Sequence, residues 1–143
     1  MQLVDHVPHA DLITLREQLP GIKLVQVIHI VDETSVQEAL TVAPLVDALL
    51  LDSGNQKLAV KELGGTGRTH DWTLSRRIRD LSRVPVFLAG GLGPANVVAA
   101  VQAVQPHGLD LCSSVRTNGH LDAENCKTSS QPLRYMHKML QKQ

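Results

Sequence analysis

Ala48-Leu49-Leu50-Leu51-Asp52 sets the architecture, together with the loop it feeds, Leu63-Gly64-Gly65-Thr66-Gly67-Arg68-Thr69-His70-Asp71-Trp72. An apolar run from Ala48 to Leu51 without alternation is what a strand covered on both faces of a parallel sheet needs. Asp52 then stands at its C-terminal end. A carboxylate is costly inside such a strand and natural at its mouth, the rim where α/β folds carry their chemistry. Gly64, Gly65 and Gly67 allow backbone N–H groups to approach an anion, or give a flexible loop. Two common phosphate motifs are excluded: Glu62 stands where a P-loop needs its first glycine, and Gly65-Thr66-Gly67 lacks the third glycine of a dinucleotide fingerprint.

Outward from this stretch the chain repeats one unit. Gln2 to Val4 reads as a short strand, and His9-Ala10-Asp11 offers a cap for a helix with Leu12, Leu15 and Leu19 on one face, ended by Pro20-Gly21. Lys23 to Val31 is the second strand. Ser35 with Glu38 fits a capping box for a helix burying Val36, Ala39, Leu40 and Ala43. The third strand is Asp47 to Asp52. The connection from Ser53 to Trp72 is about twenty residues where about two to six are usual, a length typical of lids and binding loops. Asp71 caps a helix with Leu74, Ile78 and Leu81 inward, and Arg76, Arg77 and Arg79 form a solvated face. Val84 to Ala89 is the fourth strand. Gly90-Gly91-Leu92-Gly93-Pro94 turns directly into a helix running to Val104, with proline at its first position, and aims free N–H groups at the strand mouth. Leu109 to Ser113 is the fifth strand, and a polar, irregular stretch through Asn118-Gly119 precedes a terminal helix marked by Leu133, Met136 and Leu140. Strands alternating with helices predict a parallel sheet with right-handed crossovers.

The totals narrow the function. The 143 residues suit a single domain over 1–143, and 14 bases against 14 acids leave no electrostatic footprint for nucleic acid or an anionic membrane. Cys112 and Cys126 form no disulfide framework, no apolar run reaches transmembrane length, and the first ten residues lack a signal-peptide core, so a cytoplasmic setting is expected. The seven histidines are scattered; His6 and His9 lack further ligands, and no metal is expected.

Leu50-Leu51-Asp52-Ser53-Gly54, then Gly64 to Trp72, then Leu88-Ala89-Gly90-Gly91-Leu92 with Asn96-Val97, then Asp110 with Ser113 closely resemble phosphoribosylanthranilate isomerase in order and spacing. The resemblance covers essentially the whole chain. It implies a (β/α)8 TIM barrel, working without a cofactor. It also implies an intramolecular oxidoreductase of the aldose–ketose type, rearranging N-(5-phosphoribosyl)anthranilate to carboxyphenylamino-deoxyribulose phosphate in tryptophan biosynthesis. By position, Asp52 matches the general acid that protonates the ribose ring oxygen. Gly64, Gly65, Thr66, Gly67 and Arg68 match the lid, Gly90, Gly91, Ser113 and Ser114 the phosphate-binding loops, and Asp110 the aspartate at the ribose hydroxyls.

Compared with the family, the chain reads as a partial barrel, five parallel βα units corresponding to strands four to eight. The first three units would carry the cysteine that serves as general base and the arginine that holds the anthranilate carboxylate. Ser114 replaces a family glycine, which could obstruct the phosphate cradle, and Arg116 replaces a glutamate. Cys112 replaces a serine; the eighth strand neighbours the first in a closed barrel, which would allow a substitute base, but a small thiol there reads as packing. Two strand edges, Gln2 to Val4 and Leu109 to Ser113, need covering by self-association or by an N-terminal barrel fragment on another chain, unless the frame was opened at an internal methionine. Activity is expected only with the missing units. The alternative is a non-catalytic phosphosugar-binding or interaction module. Indole-glycerol-phosphate synthase would explain the anion turns but not the Gly65 to Trp72 motif.

Overall fold

Each strand pairs with the next one along the chain. The computed structural model describes residues 1–54 and 69–130. Its order is β1 (Gln2–Leu3), α1 (His9–Gln18), β2 (Val25–His29), α2 (Glu33–Val42), β3 (Ala48–Asp52), α3 (Trp72–Leu81), β4 (Val86–Leu88), α4 (Val97–Val104) and β5 (Gly108–Leu109). All five strands are parallel in the order β1-β2-β3-β4-β5. Such an order, with right-handed crossovers, sends every connecting helix to the same side of the sheet. Packing agrees: Leu12 of α1, Val36, Ala39 and Val42 of α2, Ile78 of α3, and Ala100 and Val104 of α4 share one core with Leu24, Ile28, Leu49, Leu51, Val86 and Leu88 from the strands.

Because side chains alternate along a strand, the intervening residues face the opposite way. Val27, Leu50 and Ala89 form a second, smaller buried layer there, with Val25 and Phe87 against it. Asp52 and His29 continue that alternation, and the register pairs them directly. Leu49 and Leu51 are fully buried on the helix side, where truncation to alanine typically costs about 2–5 kcal/mol. Below the sheet, the Asp47 carboxylate accepts from Leu24 N–H at 2.9 Å and pairs with Lys23 Nζ at 3.0 Å. The Leu24 N–H first, and Lys23 next, hold its pKa below the ordinary 3.8.

Several boundaries depart from expectation. Helix α1 begins after Pro8 with no side-chain cap, so Asp11 lies inside the first turn. Helix α2 is capped by Asp32, which accepts from Thr34 N–H at 2.9 Å. Ser35 is instead buried, its Oγ donating to His29 O and accepting from Val31 N–H, both at 3.1 Å. Asp71 does cap α3, accepting from Thr73 N–H at 2.8 Å. Ile78 and Ser75 take that helix's buried face, while Leu81 at its end is 59% exposed. The three arginines do more than meet solvent. Arg77 reaches Glu33 of α2 at 2.7 Å, Arg79 Nε donates to Gln105 O at 2.9 Å, and Arg76 pairs with Asp80 at 2.8 Å.

Helix α4 starts at Val97 and not at Pro94, which lies in the preceding turn. Strand β5 ends at Leu109, four residues early by expectation, and Cys112 is therefore off the ladder and exposed, contrary to a packing role. Residues 116–121 are a hairpin: β6 (Arg116–Thr117) and β7 (His120–Leu121) pair antiparallel around Asn118 and Gly119, both at positive φ. Residues 123–130 are helical, opened by Asp122, which accepts from Glu124 and Asn125 N–H. The expected Leu133, Met136 and Leu140 helix lies outside the described residues.

Candidate active site

Asp52 ends β3 on the face away from the helices, directly above the Val27, Leu50 and Ala89 layer, and is 9% exposed. Its Oδ1 accepts from Ser53 N–H at 2.7 Å, which turns the carboxyl back over the strand mouth. Two histidines flank it. His29 is its register partner on β2, 8% exposed, with Nε2 3.2 Å from Val4 O and Nδ1 buried with no hydrogen-bond partner among the described residues. His70 precedes α3 and bonds Ser75 Oγ through Nε2 at 2.6 Å. Burial drives the His70 pKa down to about 4, against the pull of the Asp52 and Asp71 charges, so the ring is neutral at pH 7.

The same rim carries the two turns expected to bind an anion. Gly90 and Gly91 both lie at positive φ, +84° and +61°. A side chain at Gly90 would meet Cβ, N and Oγ of Ser53 at 2.8 Å, so only glycine lets this turn press against the residue after Asp52. Asn96 braces the turn from both ends, its Nδ2 donating to Gly91 O and its Oδ1 accepting from Gly93 N–H, each at 2.9 Å. The Gly93 N–H is therefore committed. The N–H groups of Gly90, Gly91, Ser113 and Ser114 find no acceptor among the described residues.

Ser113 and Ser114 open a single 3₁₀ turn over Ser113–Val115, replacing the strand expected there. Ser114 Oγ is buried and unpartnered among the described residues, and its Cβ would lie 3.1 Å from a Cβ on Gly93, so the side chain occupies the room that glycine leaves. Asp110 is exposed, its N–H donating to Leu88 O at 2.9 Å. Leu109 packs toward the helices, and alternation then puts Asp110 on the face of Asp52. Gly64, Gly65, Thr66, Gly67 and Arg68 lie outside the described residues. Among the described residues, no group of three or more His, Cys, Asp or Glu side chains is arranged to hold a metal ion. A shielded carboxyl beside two turns of free amides can pass a proton next to a bound oxyanion.

The family described as N-(5'phosphoribosyl)anthranilate (PRA) isomerase matches residues 5–131. The chain belongs to this family. Curated N-(5'-phosphoribosyl)anthranilate isomerases include one from Methanocella arvoryzae, 38% identical over 115 residues, covering 80% of this chain and 52% of the relative. Another, from Haloferax volcanii, is 46% identical over 95 residues, covering 66% and 41%. The chain thus spans about half the length of the curated relatives it matches. Among solved structures, phosphoribosyl anthranilate isomerase from Thermotoga maritima superposes with TM-score 0.73 at 28% identity, over 93% of this chain and 60% of that one. A phosphoribosyl anthranilate isomerase in complex with reduced 1-(o-carboxyphenylamino)-1-deoxyribulose 5-phosphate gives TM-score 0.71 at 25% identity, over 93% and 58%. The five parallel strands with helices on one face accordingly match the TIM-barrel-like structures of phosphoribosylanthranilate isomerases. Among the described residues no helix is long and apolar enough to cross a membrane.

Three contributors escaped sequence reasoning: His29, the neutral His70, and Asn96 as a brace. Asn96 was legible as part of a motif, but its two bonds span a turn whose geometry no periodicity encodes. His29 sat in plain view within an apolar run, Val27-Ile28-His29-Ile30, as a polar residue where a core residue belongs.

Proposed function

We propose that this chain carries the acid and the phosphate site of a phosphoribosylanthranilate isomerase, acting in the cytoplasm on N-(5-phosphoribosyl)anthranilate. One observation carries the reading: the buried Asp52 carboxyl shares its rim with the free amides of Gly90-Gly91 and Ser113-Ser114. With the substrate phosphate on those amides and Asp110 at the ribose hydroxyls, Asp52 gives its proton to the ring oxygen. The C1–O bond breaks and the anthranilate nitrogen lone pair closes a C1–N double bond. A general base then removes the C2 proton, and the resulting enaminol becomes the ketose by taking a proton at C1 and losing the proton of its C2 hydroxyl.

The five units correspond to strands four to eight of the family barrel, and the base comes from further βα units that pair with the β1 and β5 edges. Co-expression of this chain with the N-terminal units of a relative tests the whole scheme. Turnover is expected from the pair and not from this chain alone. Asp52→Asn in the pair should lower turnover by about 10²–10⁴-fold, the usual worth of a general acid, with phosphate binding nearly unchanged. Equal loss of both would make Asp52 structural, and phosphate binding without turnover in any combination would leave a binding module.

A further inference from the structure

The Asp52 mouth holds a second polar group that the proposed chemistry does not use. His29 faces it from β2, in register with Asp52 and nearly as shielded. Its Nε2 lies 3.2 Å from Val4 O, and a carbonyl oxygen can only accept, so Nε2 carries the proton. In the neutral ring Nδ1 is then a bare lone pair, with no donor to it among the described residues. Asp52 does not supply one, because no hydrogen bond joins its carboxyl to that nitrogen. A buried imidazole nitrogen of this kind, beside a reacting carboxyl, is suited to accept from whatever donor a ligand brings. A carboxylate and the dianion of a phosphate monoester have no proton to offer at neutral pH, and an inorganic phosphate held on the glycine and serine amides brings no hydroxyl beyond its own. A sugar hydroxyl does have a proton to offer.

We propose that His29 is a substrate-binding residue of this site, its Nδ1 accepting a hydrogen bond from a ribose hydroxyl of the bound phosphosugar. This rests on the phosphosugar reading above. It complements Asp110: the aspartate meets the sugar from the open side of the rim at β5, and His29 meets it from the buried side at β2. The sugar is thereby held across β3, over the Asp52 carboxyl. Its direct effect is selectivity for a phosphosugar over bare phosphate, because only the sugar carries a hydroxyl donor away from the phosphate itself.

Nitrogen-15 NMR of the 143-residue chain reads this without any variant. In the free protein, His29 should show a protonated Nε2 and an unprotonated Nδ1 whose shift marks an empty acceptor. Ribose 5-phosphate should move that Nδ1 signal toward the hydrogen-bonded position and also move the Gly91 and Ser113 amides, whereas inorganic phosphate should move the amides alone. Substitutions separate the two ring nitrogens. His29→Gln keeps a donor for Val4 O and deletes the Nδ1 acceptor, so ribose 5-phosphate should bind about five- to tenfold more weakly and inorganic phosphate unchanged. His29→Asn puts an acceptor back near Nδ1 and should recover the preference for the sugar. An Nδ1 signal already at the hydrogen-bonded position in the free chain, or one that ribose 5-phosphate leaves in place while the amides move, overturns the proposal. If neither ligand moves the Gly91 and Ser113 amides, the phosphosugar reading itself falls, and the role of His29 with it.

Discussion

A methyl group on Gly90 would stand 2.8 Å from three atoms of Ser53, at a φ of +84° that side chains avoid. Ser53, next to Asp52, and Gly90, which opens the β4–α4 turn, are thus closely packed, and neither can move without the other. Gly90→Ala is expected to cost about 2–4 kcal/mol, from left-handed strain and overpacking together, and to weaken phosphate binding as the turn is pushed off Ser53. Urea unfolding and a phosphate titration check this; a variant as stable as the parent would show that the contact relaxes freely. At this scale the position of Asp52 was legible in the sequence, because a lone carboxylate closing an apolar run is tolerated almost nowhere but at a strand mouth. The His29 pairing was not. Parity along β2 could have suggested its face, but which residue lies opposite Asp52 depends on strand register, which the chain does not spell out locally.

Elements were read well where hydrogen-bonding chemistry is local and less well where two signals compete. Asp71 caps α3 as its spacing to Thr73 and the apolar stripe requires. At α2, Asp32 and Ser35 both qualify as caps, and burial decided: Ser35 is drawn under the β2 end to bond His29 O, leaving the exposed Asp32 to cap. The Asn118-Gly119 pair, a strong hairpin signal, was missed because its flanks, Arg116-Thr117 and His120-Leu121, are short and lack alternation. The β4–α4 turn shows what an element owes to a single side chain. Asn96→Ala removes both of its bonds and should cost about 1–2 kcal/mol while loosening the Gly90–Gly91 amides, so that phosphate affinity falls with stability. Unchanged phosphate affinity in a destabilised variant would detach the brace from the site.

At the scale of the whole molecule, protonation of His70 links the site to stability. An unfolded histidine titrates near 6.5, while the folded ring holds out to about 4 because burial penalises its charge. Between these values the unfolded chain binds a proton that the folded chain refuses, so stability is full above pH 6.5 and falls as the pH drops toward 4. The ceiling of that loss is about 3 kcal/mol. Asp47, Asp71, Asp80 and Asp122, all held below the ordinary 3.8, contribute their own loss only at still lower pH, so the two windows separate. Urea midpoints at pH 7, 5.5 and 4.5 should decline in the parent and much less in His70→Gln; equal declines would assign the slope elsewhere.

The parallel sheet was legible because unbroken apolar strands alternating with amphipathic helices admit few arrangements. The one-sided placement of the helices followed from neighbour pairing. That pairing also has a kinetic meaning. With every strand docking on the one just before it in the chain, β2 and β3 can close as soon as α2 has formed between them, and each further unit adds to an edge already built. Growth of this kind needs no distant segment to arrive first, and among the described residues it leaves β1 and β5 each with one side unpaired by another strand.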